Sequence, residues 1–215
     1  MGNPRVLRPL QRRLKKAAPQ APVPDVEGMR RAVRDFLRAA GVDLTEPNLL
    51  HTPERVAEAW AREFLDGYAV TPEQALGESY PAPAGAAGEL VVVTQLRFHS
   101  MCPHHLLPVE GLAHIAYVPT DRVVGFGRLS TLLSAFAHRL ILQEDLAREV
   151  ARALARQLKS PATACILEAR QACLRLRGDS QSEAITHSEA YEGRLQNDRD
   201  LRRELWSRIP TSGKA

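Results

Sequence analysis

Apolar residues recur three and four positions apart in the first part of the chain, then run together or alternate, and then return to the helical interval. From residue 25 to about 41 the spacing of Val26, Met29, Val33, Phe36 and Leu37 predicts an amphipathic helix that ends at Gly41. "TPERVAEAW" reads as a helix start, with Thr52 as N-cap, Pro53 in the first turn and Glu54 against the positive helix end; this helix runs to about residue 68. "YPAPAGAAG" at 80–88 reads as a loop. "ELVVVTQLRFHSM" and "GLAHIAYVP" are β-branched and partly alternating, which predicts two strands. Residues 129–159 return to the helical period as two helices meeting near Gln143. "TACILEARQACLRLRG" and "EAITHSEAYEG" predict two further strands. Helices followed by a strand meander with a helical insert make an α+β fold with an antiparallel sheet and helices packed on one of its faces. The expected divisions are an arm at 1–24, a helical region at 25–79 and a sheet-bearing domain at 80–215.

Charge changes this picture at one end only. The chain has 215 residues and a formal net charge of +4, but residues 1–24 hold Arg5, Arg8, Arg12, Arg13, Lys15 and Lys16 with no acid. Removing those six from 29 leaves 23 basic residues against 25 acidic ones, so the body is slightly negative. Five prolines in the same arm oppose a stable helix, and the expectation is a disordered, solvated tail. No aromatic side chain is interleaved with its charges, which points away from nucleic-acid stacking. The chain is 44% hydrophobic and 25% charged, as in a globular protein. No apolar run approaches the roughly 18 residues that span a bilayer. The amino end lacks the apolar core of a secretory signal. Three cysteines without a secretory context read as thiols rather than a disulfide framework, and the expected location is the cytoplasm, with no membrane partner.

The chemistry-bearing stretch is "SMCPHHLLP" at 100–108. Cys102 and His105 are three apart across a turn containing Pro103, a workable spacing for two ligands of one metal. His104 and His105 are adjacent, so their side chains point apart and one can ligate while the other faces a substrate. A third ligand can be sought in "EARQACLRLRG". Read as a strand, its alternation puts Gln171, Cys173, Arg175 and Arg177 on one polar face, with Ala172, Leu174 and Leu176 on the other. A thiol between polar neighbours is a credible ligand, and arginines beside it suit phosphate. A solvent-facing strand would carry the same pattern with no site at all. Cys165, in "ATACIL", reads as core.

These segments together resemble the GTP cyclohydrolase I family. "TPERVAEAW" with Gly67–Tyr68, "FHSMCPHHLLPVEGLAHIAYVP", Gln143–Glu144 and "EARQACLRLRG" occur in family order and spacing. The resemblance implies the tunnelling fold, assembled as a homodecamer with active sites between subunits. It implies Zn2+ held by Cys102, His105 and Cys173, and His104 acting on the purine ring. Gln143 and Glu144 would recognise the guanine edge of GTP, and Arg128 and Arg177 would bind its triphosphate. The implied reaction is hydrolysis of GTP at C8 to formate and 7,8-dihydroneopterin triphosphate, the step that opens tetrahydrofolate and pterin biosynthesis. A carboxylate at position 144 suits guanine because it accepts hydrogen bonds from N1–H and the amino group together, which adenine cannot offer.

The chain departs from the family pattern inside this chemistry. Gln171 stands where a histidine is usual, and glutamine exchanges no proton near neutrality. Pro103 replaces a glutamate, Gly127 a serine, Arg128 a lysine, Thr131 an arginine and Glu189 a serine, while Asp179 follows Arg177–Gly178 in place of an apolar residue. Two alternatives to the ordinary enzyme therefore stand beside it. One is a specialised relative that only opens the purine ring or takes another nucleotide; the other is a zinc-stabilised partner with no activity. The retained His104 argues against the second, because a purely structural metal site has no use for it.

Overall fold

The computed structural model describes residues 23–177 and 183–210. Residues 1–22 of the basic arm and the position of Asp179 lie outside the described residues. Helices come first: α1 (Val26–Ala39) and α2 (Thr52–Ala59), continued by a π-turn at Trp60–Phe64 and a 3-10 turn at Asp66–Ala69. Asp25 caps α1 by accepting from Gly28 N at 2.9 Å. The second helix starts one residue before its expected start: Thr52 is its first residue, His51 occupies the cap, and no side chain caps it. Proline within its first turn, where an amide hydrogen has no intrahelical acceptor, is enough to fix the start.

The short helix α3 (Pro72–Leu76) leads to β1 (Ser79–Pro81), which pairs with β4 (Arg122–Val124) in a small two-stranded sheet. Between these lie β2 (Val91–Met101) and β3 (Pro108–Tyr117). Then follow α4 (Phe126–Ala137), α5 (Gln143–Leu158), β5 (Ala162–Gln171), the single turn α6 (Ala172–Arg175), β6 (Thr186–Gly193) and α7 (Arg199–Ser207). The main sheet has the order β2-β3-β5-β6, with every neighbour antiparallel. This is the expected α+β fold, and its strands β2, β3 and β6 lie where the residue pattern puts them.

The faces of the sheet follow from strand alternation. On β3, Ala113, Ile115 and Tyr117 point to one side with Cys165 and Leu167 of β5; α4 and α5 cover them with Leu129, Leu132, Leu133, Leu146, Val150 and Leu154. Cys165 is fully buried there, as its apolar neighbours require. Each such leucine is worth about 1.5–3 kcal/mol when removed from water. The opposite face is covered only at one end, where Leu195, Leu205 and Ile209 meet Ala116, Ala164 and Ile166. Strands β3 and β5 approach closely at Gly111, where a Cβ would lie 2.1 Å from the Glu168 carbonyl oxygen. No described helix is long and apolar enough to cross a membrane.

Candidate active site

Four chain segments converge where β2 ends. The loop from Cys102 to Leu107 is closed by Cys102 N donating to Leu107 O and Leu106 N donating to Cys102 O, both at 2.9 Å. Leu106 pays for this tight reversal with a left-handed φ of 55°. Met101 also bridges to Leu140, which brings the segment before α5 alongside the loop. The loop thereby sets Cys102, His104 and His105 beside the start of α5 and the end of β5.

Cys102, His105 and Cys173 form a cluster whose donor atoms all lie within 4.8 Å of one another. The Cys102 Sγ–His105 Nδ1 separation is 3.7 Å. Burial pushes the Cys173 thiol up, the Cys102 thiol beside it adds to the rise, and the charge of Arg177 opposes it. Two adjacent thiols joined by an imidazole are a donor set that a soft divalent cation such as zinc fits.

Cys173 reaches this cluster by a route the strand pattern does not anticipate. The expected strand through 178 ends at Gln171, and Cys173 sits in the helical turn α6. Alternation therefore does not govern positions 172–177: Leu176 is 76% exposed instead of facing a core. The turn bends the chain over the β2–β3 loop, and the ligand partner arises from that bend.

Beside the cluster lies a cavity of about 170 Å³ lined by Ser100, Cys102, His104, Gln143, Glu144, Gln171 and Cys173, with apolar walls from Phe98, Val109 and Leu146. The rings of His104 and His105 are 6.1 Å apart and inclined at 70°, so one lines the cavity while the other meets Cys102. Arg128 and Arg177 do not line it. Arg128 is exposed at the start of α4 against Gly77, whereas Arg177 is close enough to Cys173 for its charge to be felt. A larger concavity of about 630 Å³ lies on the open sheet face among Arg97, His99, Glu110, Glu168 and Arg170. Among the described residues the metal-donor cluster adjoins the smaller cavity and not this one.

Two groups of residues were not evident from sequence. The first is Thr186, the first residue of β6, whose hydroxyl lies 2.6 Å from Gln143 Oε1. Gln143 is 7% exposed, and its Nε2 donates to Leu167 O at 3.3 Å and Thr186 O at 3.1 Å. Gln171 Nε2 adds a donor to Gln143 Oε1 at 2.8 Å. The second group ties the Asp66–Ala69 turn to the end of α4. His138 Nδ1 lies 2.7 Å from Asp66 Oδ1, His99 stacks on His138 at 4.4 Å, and Arg139 donates to Gly67 O and Val70 O. The β5–β6 register decides the first group and the packing of the Asp66–Ala69 turn on the end of α4 decides the second, and no local residue pattern encodes either.

An α+β chain with a cysteine–histidine–cysteine cluster that could hold a metal, opening on a polar cavity, has the layout of an enzyme site. The sequence profile of GTP cyclohydrolase I matches residues 29–210. The GTP cyclohydrolase 1 of Chromobacterium violaceum is 36% identical over 181 residues, covering 84% of this chain and 86% of the relative. That of Deinococcus radiodurans is 34% identical over 189 residues, covering 87% and 86%. Among solved structures, an archaeosine synthase QueF-like protein in the apo form is similar at 17% identity and a TM-score of 0.41, over 48% of this chain and 93% of its own. The chain belongs to the GTP cyclohydrolase I family, a family of enzymes.

Proposed function

We propose that this protein is a zinc-dependent GTP cyclohydrolase I, acting in the cytoplasm as a homo-oligomer and converting GTP to formate and 7,8-dihydroneopterin triphosphate. The observation that carries this reading is the Cys102–His105–Cys173 cluster, because it adjoins a cavity lined by His104 and Glu144 in a chain of this family. Cys102, His105 and Cys173 would hold the zinc, which supplies the Lewis acidity that makes water nucleophilic near neutral pH. His104 moves a proton to or from a purine ring nitrogen, a task that suits an imidazole because one ring nitrogen can donate while the other accepts. Glu144, at the start of α5, accepts from N1–H and the exocyclic amine of guanine. Arg177 and Arg128 neutralise the triphosphate.

Oligomerisation is supported by the incomplete site and by apolar surface. The cavity of about 170 Å³ is smaller than the roughly 300 Å³ or more of ordinary ligand pockets, so a neighbouring copy supplying further walls fits it. Phe36, Phe126 and Leu176 are 72%, 64% and 76% exposed, as expected of surfaces that a second copy covers. Light scattering of the purified protein should show a homo-oligomer, with a decamer as the family's arrangement.

Incubating zinc-loaded protein with GTP and identifying products by mass spectrometry tests the reading. Dihydroneopterin triphosphate or a ring-opened formamidopyrimidine on its path supports it; unchanged GTP contradicts it. Gln171 favours slow completion after ring opening, because its carboxamide cannot carry a proton.

A further inference from the structure

We infer that Gln171 presents its carbonyl Oε1 to the site as a hydrogen-bond acceptor for an N–H or O–H of the bound nucleotide, and that Thr186 and Gln143 are positioning residues that hold it so. The inference rests on the nucleotide reading above. Its logic is a donor and acceptor count that leaves one orientation.

Backbone carbonyls only accept. Leu167 O and Thr186 O both lie within hydrogen-bond reach of one end of the Gln143 carboxamide, at 3.3 and 3.1 Å, so that end is the amide nitrogen. The reverse orientation would set an oxygen against two oxygens in a side chain that is 7% exposed, at the cost of a buried unpaired group. Gln143 Oε1 therefore points the other way, where Gln171 lies at 2.8 Å and the Thr186 hydroxyl at 2.6 Å. Only the amide nitrogen of Gln171 can meet that oxygen. A second contact from the same nitrogen, to Thr186 Oγ1 at 3.5 Å, agrees with this orientation.

Two consequences follow. Gln143 spends both hydrogens and its oxygen on protein groups, so reading the base falls to Glu144. Gln171 Oε1 faces the other way, 3.9 Å from Cys173 Sγ on the cavity wall. At 3.9 Å that thiol contact is long, and no other described group donates to Oε1, so the oxygen keeps its capacity for a stronger donor. The nucleotide's ring N–H or ribose hydroxyl groups supply that chemistry.

The test compares wild type with Gln171→Met, which keeps the side-chain length and removes the acceptor. GTP affinity is read on zinc-loaded protein by rapid-mixing fluorescence before turnover, with zinc content and unfolding midpoint measured alongside. Gln171→Met should weaken GTP binding about three- to tenfold at unchanged zinc content, the scale of one hydrogen bond. Thr186→Val, which removes the hydroxyl that touches both carboxamides and leaves the backbone carbonyls in place, should weaken binding in the same direction but less than Gln171→Met, and Thr186→Ser should bind as wild type does. Equal affinity of wild type and Gln171→Met overturns this inference alone. No GTP binding by wild type overturns the nucleotide reading and the inference with it.

Discussion

At the scale of single residues the site divides between groups that face the cavity and groups that hold them. Glu144 has no described side-chain anchor and lines the cavity, whereas its neighbour Gln143 is fully engaged by Leu167, Thr186 and Gln171. Glu144→Ala should therefore lower kcat/KM for GTP by about 10²-fold or more and erase the preference over ATP, while the unfolding midpoint stays near that of wild type. Retained GTP turnover with retained preference would make Glu144 an ordinary acidic residue of a helix start. Gln171→His should increase pterin formation, by up to about 10²-fold if an acid–base group is restored. A product time course checks this, and full pterin formation by wild type at the rate of ring opening would show that no proton carrier is needed there. The residues facing the cavity were legible in sequence because short motifs carry them. The anchoring role of Thr186 was not, since it depends on the Ala169–Thr186 register across β5 and β6.

At the scale of elements, the proposed metal site depends on how β5 ends. Ala162–Gln171 is a strand, and the helical turn Ala172–Arg175 then lifts Cys173 toward the Cys102–Leu107 loop. The alternation in "EARQACLRLRG" groups Gln171 and Cys173, which do line one cavity, but for a partly wrong reason. Gln171 belongs to the strand, but Cys173 arrives through the turn. The helices and the strands of the meander were legible because buried faces impose a period of 3.6 or 2. A single turn has no period to read. Cys173→Ala should leave less than one zinc per chain by elemental analysis, with Cys102→Ala and His105→Ala behaving alike. Full zinc content in Cys173→Ala would remove that turn from the metal site.

At the scale of the molecule, the sheet carries a titratable group that the site does not use. His114 on β3 is 2% exposed; its Nδ1 accepts from Gln95 N at 3.4 Å, and its Nε2 lies 3.8 Å from a Glu168 carboxylate oxygen. Burial lowers its pKa below the ordinary 6.5, and Glu168 opposes this only in part. The unfolded chain thus binds a proton more readily than the folded one. Stability is complete above about pH 6.5 and declines as the pH falls from there toward the folded-state pKa. Urea midpoints between pH 7.5 and 5 should fall more steeply for wild type than for His114→Gln, and parallel slopes would contradict the assignment.

The whole account joins one cluster to one reaction, and formate release tests that junction most directly. Zinc-supplied wild type and Cys173→Ala are given GTP labelled at C8, and label is counted in formate over many turnovers. Label should pass into formate with wild type and stay in the nucleotide with Cys173→Ala. Formate released equally by both proteins, or by neither while wild type holds one zinc per chain, would contradict the account.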